Sequence, residues 1–495
     1  MNSAKADFVH LHVHTEYSLL ESTLHLEDIF KKAMEYQMPA IAITDHGNLF
    51  GAIDFYRQAH KFGIKPIIGC ELHVAPKSRL DKSSPDAASS SYHLVVLAKN
   101  IEGYKNLLKL STVGYLEGFY FRPRVDKQLL KELHKGLIAT SACRHGEIAA
   151  ALIKGDRDGA IQAAREYRDI FGAENFYLEI MENGLPDQSL INKGILEISR
   201  LLSIPVVATN DCHYLQAKDA EAHDLLKCIR NRTTLNDKYR LGITTNQLYL
   251  RSPEEMKKLF SHCPEAIANT VLIAEQCNLD LEPRHSDPFR SQNIITPANR
   301  FKEWVKNSMG EILSSNRKAS QKEHRDMIFR HLMEKVGSNR VAHVISFRKM
   351  RARTAIRDVG RVMKMPDTEV EAILKMIPKG WCIYLRDAVS QEPFLLDAAR
   401  NNKKIDKLLK LSQALEGLNV QSSVHSSKFI ISDSPLIEMI PLYCSPNGEL
   451  ITQYCLNDLK ELGINAIFDF VHDEFAEDLC AVNMAGKWGF INREK

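Results

Sequence analysis

Residues 10–18 read HLHVHTEYS, with histidines at alternate positions His10, His12 and His14. In an extended strand, residues two apart share a face, so this spacing sends imidazoles into one space. Paired imidazoles at the end of a strand suit a metal ion. The competing reading is a polar strand end with surface histidines, and the stretch alone does not separate the two.

The neighbouring segments do. AIAIT (40–44) runs into Asp45, His46 and Gly47, and KPIIGCELHV (65–74) carries Glu71 inside an apolar run. HLVVLA (93–98) begins with His93, LIAT (137–140) runs into Ser141, Ala142 and Cys143, and PVVAT (205–209) runs into Asn210, Asp211, Cys212 and His213. Short β-branched runs alternating with helical patterns predict a barrel-like α/β domain with parallel strands. In that architecture strand ends meet on one face, where functional groups collect. Any one of these residues alone also suits a helix cap, Asp45 before Gly47 most easily. Imidazole, thiolate and carboxylate delivered by five separate strands instead predict a site for two or three divalent metals of the zinc, manganese or iron kind. Clustered metals clamp a phosphate and activate a bridging water, so the expected chemistry is phosphoester hydrolysis.

The bulk composition sets the frame. The 495 residues, 44% hydrophobic, are enough for two or three domains with ordinary cores. No stretch of 18 apolar residues occurs, and MNSAKADF lacks the features of a secretion signal, which predicts a cytoplasmic protein without a membrane partner. The ten cysteines are scattered with no C-x-x-C pair, so they read as mostly buried thiols. SSPDAASSS (83–91) reads as an exposed loop. The net charge of +3 is unevenly spread: residues 301–365 hold 16 Lys or Arg against 6 Asp or Glu. A basic stretch of this kind suits DNA, with Arg348, Lys349, Arg351, Arg353, Arg357 and Arg361 as candidate phosphate contacts. The alternative is a charged helix surface, for which Asp358 is the one acid in RKMRARTAIRDVGR.

Beyond single residues, LHVHTEYSLLES, AITDHGNLFGAIDFY, KPIIGCELHVA, YHLVVLAKNIEGYKNLLKLS, GFYFRPRVD, ATSACRHGEIA, YLEIMENGLPDQ and TNDCHY resemble the polymerase-and-histidinol-phosphatase (PHP) domain of bacterial DNA polymerase III alpha subunits. The likeness runs from about residue 7 to 282. It implies metal ligands at His12, His14, Glu21, His46, Glu71, His93, Cys143, Asp211 and His213, and makes His10 a supporting residue. Eight of the nine have the family's usual type. Glu21 stands where the family has aspartate, which moves its carboxylate by one methylene. The resemblance implies a metal-dependent 3′ to 5′ exonuclease where the rim is intact.

SNRVAHVISFRKMRARTAIRDVGRVM (338–363), EGLNVQSSVHSSKFIISDSPLIEMIPLY (416–443) and ITQYCLNDLKELGINAIFDF (451–470) resemble palm and fingers segments of the same polymerases. The implied arrangement is a PHP domain at 7–282, a thumb-like remnant and junction at 283–337, an incomplete α+β palm and fingers region at 338–470, and an unrelated tail at 471–495. The sheet of that region is expected to have an unpaired edge. The family's paired-aspartate motif has no counterpart before residue 338. Asp469 in IFDF is the lone palm aspartate, and Glu323 and Asp326 have the wrong spacing to replace the pair. Nucleotidyl transfer needs such carboxylates to hold Mg²⁺. DNA-directed DNA polymerase activity is therefore expected to be impaired or lost, with DNA and other polymerase III holoenzyme subunits as partners. A non-catalytic remnant docking on DNA is the alternative, and a small-molecule phosphatase is a third, disfavoured because it has no use for a basic second region.

Overall fold

The computed structural model describes residues 6–281, apart from 88, 238, 239, 241 and 243, and residues 321–492, apart from 378–383, 433, 446–447, 463, 465–466, 470–478 and 485–486. The thumb-like stretch 301–313 lies outside the described residues.

The first half is built on a curled sheet of β1 (Ala40–Ile43), β2 (Lys65–Val74), β3 (Tyr92–Ala98), β4 (Arg124–Val125), β5 (Leu137–Thr140), β6 (Phe176–Met181) and β7 (Val206–Thr209). Their order is β1-β2-β3-β5-β6-β7, with β4 beside the far end of β2. The segment around His10–His14 closes the ring. Its carbonyls at His10 and Val13 accept from Ala42 and Thr44 on one side, and on the other it exchanges backbone bonds with Cys212 just past β7. Val13 forms an isolated parallel bridge there. HLHVHTEYS is thus extended and inserted between the first and last strands, which is why its histidines end up inside the barrel mouth.

The all-parallel expectation needs correction. β3 runs antiparallel to both β2 and β5, while β1–β2, β5–β6 and β6–β7 are parallel. The link from β2 to β3 contains no helix, so no right-handed crossover forces β3 parallel. Helices Leu26–Glu35, Ala52–Phe62, Ile101–Leu116, Arg157–Phe171 and Gln188–Leu202 cover the outer face, and each buries an apolar stripe. Helix Ile101–Leu116 starts at Asn100, whose side chain accepts from the Gly103 amide. A Cβ at Gly103 would lie 1.8 Å from the Gly136 carbonyl oxygen. Gly103→Ala is therefore expected to destabilise the fold by about 2–3 kcal/mol through overpacking against fixed backbone, measured as a lower thermal midpoint with unchanged helix content.

The second half forms another seven-stranded sheet: β8 (Val341–Lys349), β9 (Asn419–Ile431), β10 (Leu442–Cys444), β11 (Leu450–Cys455), β12 (Ile467–Asp469), β13 (Leu479–Met484) and β14 (Lys487–Asn492), in the order β10-β11-β8-β9-β12-β13-β14. Among the described residues the interior strands are paired, β8 with β9 and β9 with β12, while β10 and β14 each pair on one side only and form the open edges of the sheet. Part of the tail extends the sheet as an antiparallel hairpin of β13 and β14. Between β8 and β9, helices Ala352–Val362, Asp367–Met376, Leu385–Gln391, Pro393–Asn401 and Lys403–Leu415 bury a core of their own, with Ile356, Val359, Leu408 and Leu415 at its centre.

The two halves share cores. Ala342, Val344, Leu442 and Tyr454 belong to the same apolar cluster as the first sheet. Leu225, Leu226 and Cys228 of helix Ala220–Asn231 enter the helical core of the second half. Gln453 of β11, fully buried, accepts from the Leu49 amide at 2.9 Å and donates to Ser111 Oγ at 2.9 Å and the Leu442 carbonyl at 3.0 Å.

Candidate metal centre

The strand ends and the turns after them bring all nine residues of the implied ligand set into one neighbourhood. His12 and His14 come from the inserted segment, His46 from the turn after β1, Glu71 from β2, His93 from β3, Cys143 from the turn after β5, and Asp211 and His213 from the turn after β7. Glu71 is fully buried at the centre. Its Oε1 lies 3.3 Å from His12 Nε2 and 3.0 Å from His93 Nδ1, and its Oε2 lies 2.6 Å from His46 Nδ1 and 3.6 Å from His14 Nε2. Asp211 Oδ1 is 3.4 Å from His12 Nε2 and 3.2 Å from His14 Nε2. Cys143 Sγ lies 3.8 Å from Glu71 Oε1 and 3.6 Å from His93 Nδ1.

Whether a metal fits is decided by the polar atoms left over. Among the described residues, His12 Nε2, His14 Nε2, His46 Nδ1, Glu71 Oε2 and Asp211 Oδ1 are buried without a hydrogen-bond partner. Buried polar atoms are rarely left so. Two ligands bound at about 2.1 Å to one tetrahedral cation lie about 3.4 Å apart, close to the spacings seen here. Among the described residues three donor groups have their ligand atoms within 4.8 Å of one another, His12–His14–Glu71, His14–His46–His213 and His46–Glu71–His93. They share His14, His46 and Glu71, so the three groups form one continuous donor cluster. The donor set fits divalent metals.

Electrostatics prepares the ligands unequally. Burial opposes charge on His12, but the carboxylates of Glu179 and Asp211 outweigh it and hold the ring well above its ordinary range. Burial and the neighbouring His46 and His213 keep His14 well below it, in the neutral form that ligates. Burial would raise Glu71, but His93 and His46 hold it well below the usual carboxylate range.

Glu21 reaches the rim differently from the other eight. Its Oε2 is 3.0 Å from His46 Nε2, while Oε1 accepts from Arg122 Nη1 at 2.8 Å and also pairs with Arg230 Nη1. Asp45 neither caps a helix nor joins the donor groups. Its carboxylate accepts from the Thr15 amide at 2.7 Å, Thr15 Oγ1 at 2.8 Å and Ser18 Oγ at 2.6 Å, and so fixes the turn after His14. His10 packs away from the cluster: Nε2 meets the Arg251 carbonyl oxygen at 2.9 Å and burial pulls its pKa down to about 4, as suits a neutral structural ring.

Two residues near the centre escaped the sequence reading. Glu179, buried in the middle of β6, lies 3.1 Å from His12 Nδ1 and accepts from the hydroxyls of Thr140 and Thr209. A donated Nδ1–H fixes the His12 tautomer and frees Nε2 for a metal. The available signal was an acid inside the apolar run FYLEIM. Glu179→Gln is expected to weaken Mn²⁺ or Zn²⁺ binding about 10- to 100-fold, read by titration calorimetry. His73, opposite His93 across the β2–β3 ladder, is buried with neither nitrogen hydrogen-bonded.

The basic candidates divide. Arg353 donates to the Leu374 carbonyl at 2.9 Å and Arg357 pairs with Glu371 at 3.1 Å, a partner supplied by the next helix. Arg348, Lys349, Arg351 and Arg361 are exposed. Asp469 lies on β12 in register with Lys428 of β9, in the second sheet and not at the rim.

A curled α/β sheet with this rim defines the PHP class, and the family model described as "PHP domain" matches residues 10–183. The model described as "Bacterial DNA polymerase III alpha NTPase domain" matches residues 320–471. The chain is 33% identical to DNA polymerase III subunit alpha of Borreliella burgdorferi and 32% identical to that of Treponema pallidum, with 93% of this chain covered in each case. It belongs to the bacterial DNA polymerase III alpha family. It spans about half the length of those relatives, 48% and 47%. The Borreliella alignment extends over 553 residues, more than the 495 of this chain, so parts of that relative have no counterpart within it. Among solved structures, a protein described as a metal-dependent phosphoesterase, from Bifidobacterium adolescentis, covers 43% of this chain and 88% of its own at 12% identity, with a TM-score of 0.26, too slight a likeness to carry weight. Among the described residues no helix is long and apolar enough to cross a membrane.

Proposed function

We propose that the chain acts on DNA through the rim of its PHP domain, as a metal-dependent phosphodiesterase of the 3′ to 5′ exonuclease type, with nucleotidyl transfer impaired or lost. The observation that carries this reading is the convergence of unsatisfied buried donors from His12, His14, His46, Glu71 and Asp211. His12, His14, Glu21, His46, Glu71, His93, Cys143, Asp211 and His213 would hold two or three cations such as Zn²⁺, Mn²⁺ or Fe²⁺. Such cations, when bound, supply Lewis-acid charge to the phosphate and activate water for in-line attack. The protein's own part is to orient His12 through Glu179 and the turn after His14 through Asp45, to keep His14 neutral, and to hold Glu71 and Asp211 charged. The loss of transfer is supported by Asp469 standing without the family's paired aspartates, so that Mg²⁺ would have too few carboxylates for polymerisation. A DNA-binding role for the second half is favoured by the exposed Arg348, Lys349, Arg351 and Arg361, and other polymerase III holoenzyme subunits are the proposed protein partners.

The test is incubation of the purified chain with a labelled primer on a template, Mn²⁺ or Zn²⁺ and all four deoxynucleotides, followed by sizing of the primer. Shortening that His12→Ala abolishes is the expected result. Lengthening would overturn the loss of transfer. An unchanged primer that is nevertheless bound, with an affinity that falls as salt rises, would replace hydrolysis by the binding role alone.

A further inference from the structure

We propose that Arg122 and Arg230, together with the exposed rings of Phe119 and Phe121, form the cradle that holds a single-stranded DNA end against the rim; this rests on the phosphodiesterase reading above. The two guanidiniums come from separate elements, the loop before β4 and helix Ala220–Asn231, yet meet on one oxygen of Glu21, whose other oxygen faces His46. One carboxylate answers only one of their two charges. Each arginine side chain is 34% exposed, so both keep an open edge beside the rim. Planar guanidinium forks match the oxygens of a phosphodiester.

The loop carrying Arg122 also presents Phe119 and Phe121, 50% and 48% exposed. Bases unstacked from a single strand pack on exposed aromatic rings regardless of sequence, and here two such rings stand on the same loop as a guanidinium. Phe121 adopts φ 60, a backbone state that costs a non-glycine residue about 1–3 kcal/mol and persists where the surroundings impose it. They do so here. Arg124 lies fully buried beneath the loop and donates to the carbonyls of Gly118 at 3.0 Å, Arg79 at 3.0 Å and Asp81 at 2.7 Å. Tyr120, between the two phenylalanines, donates its hydroxyl to the Ser84 carbonyl at 2.8 Å. The loop that carries the rings and Arg122 is thus held in place before any ligand arrives, which lowers the entropy cost of binding. A duplex keeps its bases stacked on each other, so the occupant that fits is a single strand.

The experiment uses the full chain and a 5′-fluorescein-labelled thymidine oligonucleotide, with binding followed by anisotropy in EDTA and degradation followed in Mn²⁺. Arg122→Gln, Arg230→Gln and the double variant Phe119→Ala/Phe121→Ala are each expected to raise Kd, and KM with it, about tenfold or more, with manganese stoichiometry retained. Phe394→Ala, at 74% more exposed than either ring but on helix Pro393–Asn401 of the second half, is expected to match the parent. Thermal melts like the parent's exclude misfolding. Unchanged Kd and KM in folded variants would overturn the cradle while leaving the phosphodiesterase reading intact. If the parent binds the strand and never cuts it, the phosphodiesterase reading fails, and loss of binding in the variants still supports the cradle. A parent that does not bind the strand overturns it.

Discussion

Glu71→Gln is expected to lower Mn²⁺-dependent shortening of a DNA strand by more than about a hundredfold, beyond the 10- to 100-fold typical of residues that only support a ligand. The reason is geometric. Four imidazoles lie within 3.6 Å of this one fully buried carboxylate, and it belongs to two of the three donor groups. Glutamine keeps the shape but gives up the negative charge and replaces one acceptor oxygen by an NH₂ that cannot ligate. The apolar faces of β2 are untouched, so the variant should fold. Degradation of a labelled strand under saturating metal measures the effect, with a thermal melt as the folding control. Activity within tenfold of the parent would remove Glu71 from the centre of the account.

Gln453→Leu is expected to cost about 2–4 kcal/mol of stability. Leucine fills nearly the same space but takes away the partner of the Leu49 amide and of the Leu442 carbonyl in a buried seam, and leaves the Ser111 hydroxyl with only the Gly47 carbonyl at 3.5 Å. Because this seam joins the second sheet to the PHP domain, the loss should show as a lower urea midpoint and as faster proteolysis between the halves. An unchanged midpoint would mean that the seam is wetter or looser than described.

Much of the rim was legible in the sequence because its ligands sit at the ends of short apolar runs, where strand geometry makes their direction predictable. AIAIT, LIAT and PVVAT each become strands whose next few residues turn into the mouth. What escaped depends on distance along the chain. Glu179 lies within a strand instead of after one, and only the placing of β6 beside β7 brings it under His12. Arg230 meets Glu21 from more than two hundred residues away, through a helix whose own pattern shows nothing but amphipathicity. The antiparallel β3 was misread because residues 75–91 give no hydrophobic period from which strand direction follows. Asp45 was read as a possible cap because its local context, D-H-G, suits one, whereas its true partners are Thr15 and Ser18 on another segment. In the second half, the incomplete set of palm-like segments implies an open sheet, and the sheet is open, with β10 and β14 at its edges. β8, β9 and β12 nonetheless pair with one another and bury Val341, Phe429 and Ile431. Strand pairing depends on backbone and apolar surface, which are present, and not on the carboxylates of the polymerase chemistry.

The metal centre can be read directly from the metal content of the purified chain, loaded with Mn²⁺ or Zn²⁺ and desalted, beside Glu71→Gln treated identically. About two to three equivalents are expected in the parent, as for a clustered phosphoesterase centre, and most of that metal should be lost in the variant. Equal metal in both, or none in the parent, would contradict that centre.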